Sequence, residues 1–229
     1  MTKIIFWDFD GTLGYREGNW EAAIFELAAN KATEANYRLV SSMLQDGFPW
    51  HHPERDYTYL TNEQDWWDYV TPTLARIFEA LGFDKEEAAI KAAGVNEQYL
   101  QLSSWKLYEG AYAALEETKL AGWKNILVSN NVPGFGHVLQ ALSLSSCFEK
   151  IFISAISGFN KPNPLILQNW LQEAGNVSKI FVVGDRLESD IAFAENISAE
   201  GLLVGPAPAN APYRHFDNLE KLKQYILSY

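Results

Sequence analysis

Three short apolar runs in this chain each stop at a polar residue: Ile4-Ile5-Phe6-Trp7 before Asp8, Ile126-Leu127-Val128 before Ser129, and Ile180-Phe181-Val182-Val183 before Gly184-Asp185. A short apolar run without polar alternation reads as a strand buried on both faces, the habit of parallel sheets covered by helices. From residue 110 onward the pattern alternates, with helices expected over 110–120, 136–142, 164–173, 187–195 and 218–227. Strands are expected over 125–128, 151–154, 180–183 and 201–204. That rhythm calls for an α/β fold with a mostly parallel sheet and helices on both faces. Ligands of such sheets sit beyond the carboxyl ends of the strands, so Asp8, Ser129 and Asp185 read as parts of one site.

Between the first strand and this alternation lie about ninety residues that read as helical. After a flexible exit over 14–18 comes a helix or helix pair over 17–44, then a break at Gly47-Phe48-Pro49-Trp50-His51-His52-Pro53. A further helix starts at Thr61, with Gln64 completing a capping box, and carries Trp66, Trp67, Val70, Leu74, Ile77, Phe78 and Leu81 as one apolar stripe. Two short helices over 85–93 and 97–103 follow. Adjacent His51 and His52 invite a metal reading, but chain neighbours point apart and no Cys or His cluster accompanies them, so a structural or rim position is expected.

Asp8 and Asp10 stand two residues apart at the end of the first strand, so an extended backbone leans both carboxylates to one side, and Gly11 lets the chain turn and approach a ligand. Asp-Gly is equally a turn signal. Ser129 taken alone is a common helix cap, Lys161 before Pro162 is an ordinary surface residue, and Asp190 on a first helical turn suits the positive helix end.

Asp-Phe-Asp-Gly-Thr-Leu at 8–13, Val-Ser-Asn at 128–130, Lys-Pro-Asn-Pro at 161–164 and Gly-Asp with a later Asp at 184–190 resemble, in order and spacing, the four motifs of the haloacid dehalogenase-like hydrolases. Arg186 departs from the small hydroxyl residue that many members carry, and Asn163 stands where an acid is common. The resemblance implies a Rossmann-like three-layer core over 1–14 and 106–229, with an all-helical cap over 15–105 inserted after the first motif. It implies Asp8 as the nucleophile forming an aspartyl-phosphate and Asp10 as the acid and base. Ser129 and Lys161 would complete the catalytic set. Phosphate would be held by Ser129, Lys161 and backbone N–H groups near Phe9 and Asn130, and Mg²⁺ by Asp8, Asp185 and the Asp10 backbone carbonyl, with Asp190 supporting metal or lysine from behind. The expected activity is a Mg²⁺-dependent phosphatase of a small phosphorylated metabolite. A dehalogenase is the first alternative, although such enzymes usually lack the second Asp because a halide leaves without a proton. A phosphomutase is the second. A phosphorylated receiver module also carries Asp, Ser and Lys at strand ends, but it is about half this length and has no cap.

With 48% hydrophobic and 21% charged residues, disorder is not expected. The formal net charge of −11 argues against general affinity for nucleic acid or anionic membrane. The single cysteine, Cys147, has no nearby His and reads as packing. The first strand begins by residue 4 and no apolar run nears about 18 residues, so neither signal peptide nor membrane span is expected and the location is expected to be cytoplasmic. Gly205-Pro206-Ala207-Pro208-Ala209 reads as a rigid surface loop. Tyr15, Arg16, His51 and Trp67 are titratable or aromatic groups without an evident core role, and Gly14 and Gly18 are candidate hinges, so substrate choice is expected to reside in the helical block.

Overall fold

The computed structural model describes residues 2–206 and 213–229; Ala207, Pro208 and Ala209 of the expected rigid loop lie outside them. Its strands are β1 (Thr2–Trp7), β2 (Gly14–Arg16), β3 (Trp105–Leu107), β4 (Trp123–Ser129), β5 (Lys150–Ile153), β6 (Val177–Gly184), β7 (Glu200–Val204) and β8 (Arg214–Phe216). Six of them form one sheet in the order β5-β4-β1-β6-β7-β8, every neighbour parallel. The chain is thus an α/β protein, as the apolar runs implied.

Alternation along β1 divides the core. Ile5 and Trp7 face one layer of packed side chains and Ile4 and Phe6 the other, as the period of two in a strand requires. On the first face pack the helices α1 (Ala111–Leu120), α2 (Phe135–Ala141) and α3 (Leu219–Leu227). The second face holds Ile166, Leu167, Phe193 and Ala194. Here the expected 164–173 helix is instead a 3-10 turn (Pro164–Leu167) and a short helix (Trp170–Glu173), because Gln168 adopts φ 53° between them. The expected 187–195 helix begins as a π turn (Leu187–Ile191), in which the Asp190 and Ile191 N–H groups both donate to the Arg186 carbonyl.

Asn125 is a polar residue buried inside the central sheet. Asn125 Oδ1 accepts from Trp7 Nε1 at 2.9 Å and from Thr118 Oγ1 at 3.1 Å, while its Nδ2 donates to the Leu115 carbonyl at 2.8 Å. Asn125→Leu strands the buried indole N–H and should cost about 1–3 kcal/mol of stability, read from urea unfolding. A loss under about 0.5 kcal/mol would mean that the indole finds another acceptor.

Residues 14–18 are not the flexible exit expected. Gly14–Arg16 and Trp105–Leu107 pair antiparallel, so the two crossings into and out of the helical block lie side by side as a ribbon. Gly14 is a strand residue, and a Cβ there would meet the Phe9 ring at 2.6 Å and the Lys106 carbonyl at 2.7 Å, so close packing explains it better than a hinge. The first part of the block is the pair Asn19–Leu27 and Glu34–Met43; its longest helix spans Glu63–Ala80 and starts two residues after the expected Thr61. Its cap is Asn62, whose side chain accepts from the Asp65 N–H at 2.9 Å. Arg16, expected among the groups without an evident core role, is only 2% exposed and braces the block. Its guanidinium meets Glu26 at 3.1 Å and donates to the carbonyls of Tyr99, Glu17, Asn19 and Gln98. Trp67 is likewise buried. Among the described residues no helix is long and apolar enough to cross a membrane.

Candidate active site

Because β4, β1 and β6 are neighbours, their carboxyl ends bring Ser129, Asp8 and Asp185 to one edge. The strand end at Asp8 is fixed by its N–H donating to the Val183 carbonyl at 2.9 Å. Beyond it the chain folds into a tight turn in which the Phe9 carbonyl accepts from the N–H groups of Thr12, Leu13 and Gly14. The Phe9 ring anchors that turn against Trp105 and Phe135, with centroids at 5.9 and 5.0 Å. Gly11 has φ 87°, and a Cβ there would lie 2.3 Å from Asp185 Oδ2, so only glycine lets the first turn approach the acid that follows β6.

Lys161 is the central cation. Its Nζ donates to Asp8 Oδ1 and to Asp190 Oδ1, each at 2.6 Å, and the residue is 3% exposed. Burial opposes its charge, but Asp190 and Asp8 outweigh that and hold the ammonium well above its ordinary pKa. The backbone of Lys161 is clamped by Asn130, whose Oδ1 accepts from the Lys161 N–H at 2.7 Å and whose Nδ2 donates to the Lys161 carbonyl at 3.0 Å. Asp190 is held from its other side by the Arg186 N–H at 3.1 Å. A Cβ on Gly184 would strike Asp190 Cγ at 2.2 Å, which explains a glycine at the end of β6.

The carboxylates crowd one another. Burial pushes Asp8 well above its ordinary value, Lys161 opposing and Asp190 and Asp185 adding to the rise. Burial, reinforced by Asp185, raises Asp10 to about 7, against Arg186 and Lys161. Asp185 is raised to about 6 by burial and by Asp190, with Arg186 opposing. So many buried acids around one lysine call for a further cation. Oxygens of Asp8, Asp185 and Asp190 lie within 4.8 Å of one another, and Asp185 Oδ1 is buried without a hydrogen-bond partner. An all-oxygen set with a free carboxylate oxygen fits Mg²⁺. Asp190 is already engaged by Lys161 and Arg186, which favours Asp8 and Asp185 as the holding pair.

Asp10 is held by a residue that none of the four motifs assigns. Asn131 Nδ2 donates to Asp10 Oδ2 at 2.7 Å, while Asn131 Oδ1 accepts from the Val132 N–H at 2.9 Å, so the amide orientation is fixed. Its position after Ser129-Asn130 was the only available signal. Ser129 Oγ is fully buried and has no partner among the described residues, so no cap role engages it. Among the described residues His51 and His52 join no cluster of three ligating side chains: His51 Nδ1 accepts from the Phe48 N–H at 3.2 Å, and His52 faces Asp46 and Glu54. Cys147 is buried, as its setting implied.

The family model for haloacid dehalogenase-like hydrolases matches residues 2–197. The chain is 28% identical over 166 residues to haloacid dehalogenase-like hydrolase domain-containing protein 3 of Bos taurus, covering 69% of this chain and 64% of that protein, so just under two thirds of the bovine relative is matched. The protein of the same name from Homo sapiens is 25% identical over 215 residues, covering 89% and 82%. Among solved structures, a putative HAD-hydrolase from Bacillus subtilis bound to magnesium superposes with TM-score 0.73 at 16% identity, covering 98% of both chains. A putative beta-phosphoglucomutase from Thermotoga maritima gives 0.72 at 17%, covering 99% of both. At such identities these structures speak for the fold alone.

Proposed function

This chain belongs to the haloacid dehalogenase-like hydrolases, and from that premise we propose that it is a Mg²⁺-dependent phosphatase of a small phosphomonoester, with residues 15–105 as the cap over its site. The observation that carries this reading is the second carboxyl. Asp10 is held at 2.7 Å by Asn131 with its pKa raised to about 7. Displacing an alcohol from phosphorus needs a proton at the leaving oxygen, whereas displacing a halide does not. A carboxyl poised near neutrality suits that task and its reversal.

The residues divide the work as follows. Lys161 occupies Asp8 Oδ1, leaving the other Asp8 oxygen to attack phosphorus. As the bond from phosphorus to the leaving oxygen breaks, the Asp10 proton passes to that oxygen. The Asn131 N–H claims a lone pair of Asp10 Oδ2, so the proton resides on Oδ1. In the second half Asp10, now a carboxylate, takes a proton from water as the water oxygen attacks the aspartyl-phosphate and Asp8 is released. The unpartnered Ser129 hydroxyl and the Lys161 ammonium supply donors for phosphoryl oxygens. Mg²⁺ held by Asp8, Asp185 and the Asp10 carbonyl would offset the repulsion between the nucleophile and its dianionic substrate.

The test is phosphate release by protein stripped with chelator and then reloaded. Activity should vanish on stripping and return with Mg²⁺. Undiminished activity after verified metal removal, or release of halide but never of phosphate, would overturn the assignment.

A further inference from the structure

Above the catalytic edge lies a cavity of about 670 Å³, within the range of about 300–1,000 Å³ typical for small-molecule pockets. A phosphoryl group on Asp8 would fill only a part of it. The far wall presents Trp20, Trp50, His51 and Tyr99, with Tyr15 and Tyr108 beside the ribbon. These rings are held by one another. Trp20 stacks on Tyr99 with centroids 3.8 Å apart, Trp50 stacks on Phe48 at 4.7 Å, and Trp20 and Trp50 approach to 6.1 Å.

The same wall offers no free positive charge to a second anionic group. Arg16, its one cationic residue, is spent on Glu26 and four backbone carbonyls. Burial lowers the pKa of His51, with Asp46 opposing and His52 and Arg186 adding to the fall, so the ring is neutral near pH 7. Its Nδ1 accepts from the Phe48 N–H, so the proton is on Nε2, where it is a single neutral donor. On the core side Lys161 is committed to two carboxylates, and Arg186 lines the floor near Asp10 and Asp185, whose pKa values its charge lowers, without an ion pair among the described residues. Glu21 and Glu188 also line the cavity.

We infer that the alcohol released by this enzyme carries an uncharged, flat ring system of nucleobase size, lodged against Trp20 and Trp50 with the His51 Nε2–H donating to a ring acceptor. An aromatic wall rewards a planar apolar face, a lone neutral donor fixes its orientation, and a wall without an unpaired cation gives a second phosphate or carboxylate nothing to bind there. This inference rests on the phosphatase reading and narrows it.

The experiment compares kcat/KM of the Mg²⁺-loaded protein for two probes that share the ribose phosphate and differ in the base, uridine 5′-monophosphate and ribose 5-phosphate, with acetyl phosphate as a control without base or sugar. The nucleotide should be preferred by about tenfold or more, the scale of one base stacked on aromatic side chains. Trp50→Leu, checked for folding by circular dichroism, should collapse that ratio. Equal values for the two probes, a preference for a doubly anionic ester such as 3-phosphoglycerate, or an unchanged ratio in folded Trp50→Leu overturns the inference while acetyl phosphate hydrolysis keeps the phosphatase reading alive. Failure to hydrolyse any of the three removes both. Should Trp50→Leu not fold, the comparison of the two probes on the parent protein decides alone.

Discussion

Asp8→Asn is expected to abolish phosphate release and covalent labelling together, yet to leave the metal-free protein at least as stable as the parent at neutral pH. Asparagine cannot form the phosphoenzyme, so turnover falls to background. Stability follows from the charge count. Lys161 faces both Asp8 and Asp190 at 2.6 Å, so the variant keeps a one-to-one buried pair and loses one carboxylate that burial disfavours. Asp10→Asn should behave differently. Loss of acid-base catalysis lowers kcat by about 10²- to 10⁴-fold for alkyl phosphates. With acetyl phosphate, whose leaving group needs no proton, phosphorylation is spared and hydrolysis is not, so labelled phosphate should accumulate on Asp8. Labelled phosphate trapped on folded Asp8→Asn would put the nucleophile elsewhere, and parental kcat in Asp10→Asn would remove its acid-base role.

Much of the fold was legible because burial on both faces leaves a mark in the sequence. The unbroken runs ending at Trp7, Val128 and Val183 name the three central strands, and the residues that follow name the edge on which Asp8, Ser129 and Asp185 meet. The polar edge strand Arg214–Phe216 carries no such mark and went unseen. Pairing of β2 with β3 was invisible for another reason. Gly14–Arg16 and Trp105–Leu107 are three residues each and some ninety positions apart, so only the folded chain joins them. Arg16 misled because an arginine near an active site suggests a ligand, whereas its partners are carbonyls of remote residues such as Gln98 and Tyr99. Asn131 was passed over because nothing local distinguishes an amide that orients a carboxyl across 121 positions from one that ends a strand. The π turn at Leu187–Ile191 has no sequence signature either, although Asp190, within it, reaches both Lys161 and the Arg186 N–H.

Lys161→Met should be the most destabilising single change at this site, and its cost should depend on pH in a defined direction. The lysine is buried between Asp8 and Asp190, and removing one partner of a buried ion pair costs about 3–5 kcal/mol, because the acids are left uncompensated. In the parent, Asp10 and Asp185 already sit at about 7 and about 6, above the ordinary carboxylate value. The native state therefore keeps protons that the unfolded chain has released. Their contribution is fully present below the unfolded pKa and is lost as pH rises through 6 and 7. Without the Lys161 charge these carboxyls, and Asp8 with them, are pushed up further. The variant then loses stability more steeply than the parent as pH rises, and its deficit is largest at about pH 7.5 and smaller at about pH 5.5. Urea midpoints of metal-free parent and variant at the two pH values measure this. A deficit of equal size at both would trace the loss to packing of the lysine stem, and the electrostatic account of the buried acids would fall with it.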